Sequence, residues 1–206
     1  MSLSLLEPTV FLIDDDAAVR SSLSLLLRTF GMPVQAYESA EEFLQQWNPE
    51  AVGCLVLDIH MPGISGFNVQ EMLHYQNIPI PIIFITGHGD LNACRRAFQG
   101  GAVDFLTKPI DETALMTSIR KAIRHDVNNR LTRQESLASR ARMERLTERE
   151  REVLKHIIQG LPNKHIAQHI GLSTRTVETH RARILQKLEV ESLAALIRVA
   201  VLAESA

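Results

Sequence analysis

The chain has 206 residues, 45% of them hydrophobic and 22% charged, which excludes a disordered or collagen-like chain and supplies enough apolar mass for packed cores. Its charge is unevenly divided: 8 Lys and Arg stand against 14 Asp and Glu up to His125, a net −6, and 14 stand against 10 from Asp126 onward, a net +4. An acidic front and a basic back point to two domains with different partners, a polyanion being the natural one for the second.

From Thr9 onward, short β-branched runs alternate with amphipathic stretches. Strands are predicted at Thr9 to Ile13, Val34 to Tyr37, Val52 to Leu57, Pro81 to Thr86 and Val103 to Leu106. Helices are predicted between them at about Ala17 to Phe30, Ala40 to Trp47, Gly66 to Gln76, Leu91 to Gln99 and Glu112 to Arg124, the second opened by a Ser39-x-x-Glu42 capping box. Strict alternation with continuous apolar strands predicts an α/β fold, a doubly wound five-stranded parallel sheet covered by helices on both faces, over residues 1–125. Residues 126–142 are polar, rich in Arg, Asn and Ser and free of Pro and Gly, and read as a helical linker. In residues 143–206 the β signal disappears and an all-α four-helix domain is expected, with helices at Glu148 to Gln159, Asn163 to Ile170, Thr174 to Leu188 and Ser192 to Ala203. A Thr147-x-x-Glu150 capping box opens the first, Gly160 stops it, and Gly171-Leu172-Ser173 supplies the tight turn of a helix-turn-helix, with Ser173 as N-cap.

Cys54 and Cys94 are the only cysteines, far apart in apolar or helical surroundings, so neither a disulfide framework nor a thiolate metal site is expected. No basic-then-apolar leader precedes Pro8, and the longest apolar stretches are too short, or interrupted by Arg198, to span a bilayer. A cytoplasmic protein with no membrane partner is the expectation.

The chemistry of the first half lies at carboxyl strand ends. Asp14, Asp15 and Asp16 follow the first strand, Asp58 ends the third, Thr86 ends the fourth and Lys108 follows the fifth. In an open parallel sheet these ends form one rim, where such folds bind ligands. Clustered carboxylates repel one another unless a cation lies among them, and Mg²⁺ suits oxygen ligands with retained waters. Carboxylates, metal, lysine and hydroxyl together make a phosphoryl-transfer constellation: an Asp attacks, Mg²⁺ and Lys108 neutralise phosphoryl oxygens, and Thr86 bonds another. Asp58 is the nucleophile candidate, alone at its strand end. Met61-Pro62-Gly63 holds a loop beside it and leaves the main-chain carbonyl of His60 able to face the metal. Asp16 is expected to be only the N-cap of the first helix, and Gly87-His88-Gly89 a flexible turn.

The stretches Phe11-Leu12-Ile13-Asp14-Asp15-Asp16, Leu55-Val56-Leu57-Asp58-Ile59-His60-Met61-Pro62-Gly63, Ile85-Thr86-Gly87-His88-Gly89 and Asp104-Phe105-Leu106-Thr107-Lys108-Pro109 jointly resemble the receiver domain of bacterial two-component response regulators. The resemblance implies a CheY-like sheet order 2-1-3-4-5 and phosphorylation of Asp58 by a sensor histidine kinase. It also implies Mg²⁺ held by Asp14, Asp15, Asp58 and the His60 carbonyl, Lys108 at the phosphoryl group, a switch relayed by Thr86 and Phe105, and a cis bond before Pro109.

In the second half, a helical wheel over Thr174 to Leu188 puts Val177, Ile184 and Leu188 on one side and Arg175, Thr176, Thr179, Ala182, Arg183 and Gln186 on the other. An outward face of Thr, Ala, Arg and Gln can enter the major groove of DNA, where Arg reads guanine and small apolar groups meet thymine methyls. The stretches Leu146 to Leu154, Gly160 to Ala167 and Leu172 to Leu185 resemble the LuxR-type helix-turn-helix of the NarL and FixJ regulators. By that resemblance Lys164, Thr174, Arg175, Thr176, His180 and Lys187 touch phosphates, while Glu178, Thr179, Ala182 and Arg183 lie nearest the bases, Glu178 accepting from a cytosine amino group. His165 and His169, four apart on one helix, imitate a zinc pair, but no Glu stands between them and no third ligand is near.

A transcription regulator of the FixJ subgroup is therefore expected, working as a homodimer on phosphorylation, binding promoter DNA and meeting RNA polymerase, with activation the commoner role in the family. An enzyme of the haloacid dehalogenase type also places Asp, Mg²⁺, Thr and Lys on such a sheet. Here Ala17-Ala18 follow Asp14-x-Asp16, no room is left for a cap domain, and the helix-turn-helix would go unexplained. A constitutive DNA binder with a mere scaffold in front would need none of Asp14, Asp15, Asp58, Thr86 and Lys108. No metabolic enzyme is expected, beyond autophosphatase activity at the phosphoacceptor.

Overall fold

The computed structural model describes residues 7–87 and 89–204, so the middle of the expected Gly87-His88-Gly89 turn, His88, lies outside the described residues. The chain divides into two compact units between Asn129 and Arg130.

In the first unit β1 (Thr9–Ile13), β2 (Val34–Tyr37), β3 (Gly53–Asp58), β4 (Ile82–Thr86) and β5 (Asp104–Thr107) form one sheet in the order β2-β1-β3-β4-β5, parallel throughout. Alternating with them are α1 (Ala17–Thr29), α2 (Ala40–Gln46), α3 (Gly66–Tyr75), α4 (Leu91–Gln99) and α5 (Glu112–Glu144). The doubly wound sheet and its 2-1-3-4-5 order agree with expectation. Successive side chains along a strand point to opposite faces. Accordingly Phe11, Ile13, Leu55, Leu57 and Phe84 pack with Phe43, Phe67, Leu73 and Ala97 of α2, α3 and α4. Val10, Leu12, Val56, Ile83 and Ile85 pack with Leu23, Leu27, Leu115 and Ile119 of α1 and α5. Burial on both faces is why these strands read as continuous apolar runs.

Two strands lie one residue later than predicted, β3 reaching Asp58 and β5 reaching Thr107. The pairings Asp58 with Ile85 and Thr107 with Thr86 carry their ladders that much further toward the rim. At its other end β3 opens on Gly53, where a Cβ would lie 1.8 Å from the Thr9 carbonyl oxygen. The Gly53 N–H donates to the buried carboxylate of Asp126 in α5 at 2.9 Å. Side-chain oxygens of Asp16, Ser39, Ser65 and Asp90 cap α1, α2, α3 and α4.

The fifth helix does not stop at Arg124. It runs 33 residues to Glu144, taking in all of the predicted linker, because neither Pro nor Gly occurs between Pro109 and Gly160 to end it. In the second unit follow α6 (Glu148–Ile158), α7 (Asn163–Ile170), α8 (Thr174–Leu188) and α9 (Leu193–Glu204), joined through a core that includes Leu146, Val153, Ile157, Ile166, Val177, Ile184 and Leu196. Gly171 takes the left-handed conformation, φ 67° and ψ 38°, at the end of α7, and Ser173 caps α8 by accepting from the Thr176 N–H. Ser192 stands just outside α9, accepting from Ala195 N–H at 3.1 Å. Among the described residues no helix is long and apolar enough to cross a membrane.

Candidate functional site

Four carboxyl strand ends of the first unit bring Asp14, Asp58, Thr86 and Lys108 together. Asp14 is fully buried; one of its oxygens accepts from the Asp16 N–H at 2.9 Å and the other from Lys108 Nζ at 2.7 Å. The same ammonium stands 3.5 Å from Asp58 Oδ1. That oxygen is buried and no hydrogen-bond donor reaches it among the described residues. Asp58 is only 5% exposed. Burial pushes its carboxyl above the usual range, and the neighbouring Asp14 adds to this, together outweighing the attraction of Lys108. Burial disfavours the Lys108 ammonium, yet the bond to Asp14 and the charge of Asp58 hold it above its ordinary value.

Asp15 is exposed, and each of Asp14, Asp15 and Asp58 offers an oxygen within 4.8 Å of the others. An all-oxygen donor set with one buried oxygen lacking a donor fits a hard divalent cation. Asp16 is the cap of α1, accepting from Ala18 and Val19 N–H. The Lys108–Pro109 peptide is cis.

Thr86 is fully buried, and its hydroxyl lies 3.1 Å from Nδ1 of His60. Sequence reasoning considered only the carbonyl of His60; its ring was missed. Arg20 was missed as well: its guanidinium, one turn into α1, donates to the Asp14 carbonyl at 2.7 Å. Phe105 is half-buried, and Gly89 lies against it. A Cβ on Gly89 would come within 3.3 Å of the Phe105 ring and 2.4 Å of the Thr107 methyl, so this glycine is required by close approach, where the sequence suggested only flexibility.

In the second unit α8 presents Thr174, Arg175, Glu178, Thr179, Ala182, Arg183 and Gln186 to solvent, and Lys164 is exposed on α7. Thr176, His180 and Lys187 are half-buried on the flank of α8. Nδ1 of His180 is buried without a hydrogen-bond partner among the described residues. Lys187 Nζ donates to Glu150 Oε2 at 2.6 Å, and Glu150 is 3% exposed. Burial penalises the Glu150 charge, but Lys187 and Thr147 outweigh it and hold the carboxyl below its ordinary value. His169 gives its Nδ1 to the His165 carbonyl at 2.8 Å and sets its ring beside His156, with 5.8 Å between centroids. Neither His165 nor His169 belongs to a three-residue ligand cluster among the described residues.

Residues 10–120 match the family described as response regulator receiver domain, and residues 144–200 match the bacterial regulatory proteins of the luxR family. Nodulation protein W of Bradyrhizobium diazoefficiens is 42% identical over 189 residues, 92% of this chain and 83% of its own length. The transcriptional regulatory protein FixJ of Rhizobium meliloti is 41% identical over 192 residues, 93% of this chain and 94% of its own. Among solved structures, a low-resolution structure of the response regulator StyR is 43% identical with a TM-score of 0.81, covering 95% of this chain and 98% of that one.

Proposed function

Because the chain belongs to the response regulators that join a receiver domain to a LuxR-type DNA-binding domain, we propose that Asp58 accepts a phosphoryl group from a sensor histidine kinase, and that this event governs promoter binding by α8. The family consists of transcription regulators rather than metabolic enzymes. We assign residues 1–125 to the phosphoacceptor, 126–142 to the linker and 143–206 to DNA binding.

The observation that carries this reading is the Asp58 carboxylate: buried, at a strand end, with an oxygen no donor occupies and an ammonium 3.5 Å away. An oxygen of Asp58 attacks the phosphorus of the kinase phosphohistidine. The P–N bond breaks, its electron pair stays with the imidazole, and an acyl phosphate remains on Asp58. Mg²⁺, held by Asp14, Asp15, Asp58 and the His60 carbonyl, would supply charge neutralisation for the phosphoryl oxygens. Lys108 neutralises another, moving from its shared position between Asp14 and Asp58. Thr86 exchanges its contact with His60 for one with the phosphoryl group, and Phe105, packed against Gly89, follows. The result is a population shift between two arrangements of the β4 to α5 face.

The output is a homodimer that sets two copies of α8 on half-sites related by symmetry, works in the cytoplasm and activates transcription through RNA polymerase. The test is intact mass with sedimentation, with and without Mg²⁺ plus acetyl phosphate, for wild type and Asp58→Asn. The expected outcome is phosphoryl uptake and a shift from monomer to dimer in wild type alone. Equal modification of the Asn variant would overturn the assignment of Asp58.

A further inference from the structure

The flank of α8 holds a residue whose work differs from that of its exposed neighbours. At about 100° per residue, Lys187 lies about 80° from the centre of the buried stripe of Val177, Ile184 and Leu188. It lies about 110° from the centre of the exposed face that runs from Arg175 to Gln186. Its ammonium turns inward to Glu150 Oε2 at 2.6 Å. The same oxygen also accepts from Thr147 N–H at 2.8 Å and from the Thr147 hydroxyl at 3.0 Å. Glu150 N–H returns a bond to Thr147 Oγ1, closing the capping box that starts α6. One buried oxygen thus joins the first turn of α6 to the last turn of α8.

Resting on the reading that α8 binds DNA, we propose that Lys187 is a positioning residue: it fixes α8 against α6 through Glu150 and makes no phosphate contact. A buried carboxylate needs its cation more than the exposed DNA backbone needs one further lysine, since unpairing it leaves a desolvated charge. Lys164, exposed on α7 with its ammonium in no recorded ion pair among the described residues, is the contrasting case, a cation able to meet phosphate.

The two roles separate in salt dependence. Each phosphate contact contributes a slope of about −0.9 in log K against log salt on B-DNA, whereas a positioning residue changes log K and leaves the slope. The experiment measures binding of the full-length chain, in Mg²⁺ and acetyl phosphate, to a labelled duplex selected from random sequence by the wild-type protein. Variants are Lys164→Ala, Lys187→Gln, Glu150→Gln and the double variant Glu150→Gln with Lys187→Gln. Circular dichroism verifies that each is folded, and the double variant, which keeps neither charge, guards against collapse of the singles.

The expected result is that Lys164→Ala makes the slope shallower by about 0.9 per bound copy. Lys187→Gln should lower affinity about tenfold with the slope unchanged, and should add nothing once Glu150 is Gln. A slope loss for Lys187→Gln equal to that of Lys164→Ala would overturn the inference and restore Lys187 as a phosphate contact. So would a full further loss in the Glu150→Gln background. A wild-type chain that binds the duplex without salt dependence would sink the DNA-binding reading itself, which the Lys164→Ala arm identifies independently of Lys187.

Discussion

The carboxylate of Asp58 sits beside that of Asp14 with a single ammonium between them, and a third carboxylate, that of Asp15, is near. Removing water from like charges at this spacing destabilises the fold until a cation restores balance. Asp58→Asn is therefore expected to raise the urea stability of the chain in chelator by about 1 kcal/mol. Added Mg²⁺ should stabilise wild type and leave the variant behind. An Asn variant less stable than wild type in chelator would mean that Asp58 is held by favourable contacts. Asp14, Asp15, Asp58, Thr86 and Lys108 were legible in the sequence because parallel strands deliver their carboxyl ends to one rim. Arg20 and the His60 ring were not, since what brings each to the site is a hydrogen bond, to the Asp14 carbonyl and to the Thr86 hydroxyl, and no spacing signals such a bond.

At the level of elements, α6 and α8 share the Glu150 carboxylate. Although burial works to raise it, the bonds from Lys187 and Thr147 hold this carboxyl below its ordinary 4.5. A folded value below the unfolded one gives stability that is complete above about pH 4.5 and is lost as pH falls through the folded value. Glu150→Gln should cost about 1 to 2 kcal/mol at pH 7, Lys187 being partly solvated. It should also flatten the fall of the urea midpoint on the acid side; a wild-type slope there would show that Glu150 carries no pH-linked stability. The starts of α6, α7 and α8 were legible because a capping box, Pro162 and Ser173 mark them. The end of α5 was not. Its apolar stripe fades after Ile123, and Leu131 and Leu137 are about half exposed, at 45% and 54%. No residue stops the helix, and its last turns, with Arg145 just beyond them, are tied within the second unit by ion pairs of Glu135 with Arg198 and of Arg142 and Arg145 with Glu189, contacts that no apolar spacing signals.

For the whole molecule, the split into an acidic front and a basic back was readable from counts alone. The exact place where one compact unit gives way to the next, between Asn129 and Arg130, was not, because it falls inside an unbroken helix. Within the first unit, Asp126 reaches from α5 to the Gly53 N–H, next to Cys54. That thiol is wholly buried, and burial, reinforced by the Asp126 charge, pushes it up to about 12. Cys94 in α4 is only partly covered. A disulfide reagent at pH 8 should modify Cys94 promptly and Cys54 only as fast as the sheet opens. Equal rates in the native protein would mean that β3 opens readily. The chain thus carries its own stopwatch: the lag between its two thiols times the opening of β3 in the intact protein, with no engineered probe.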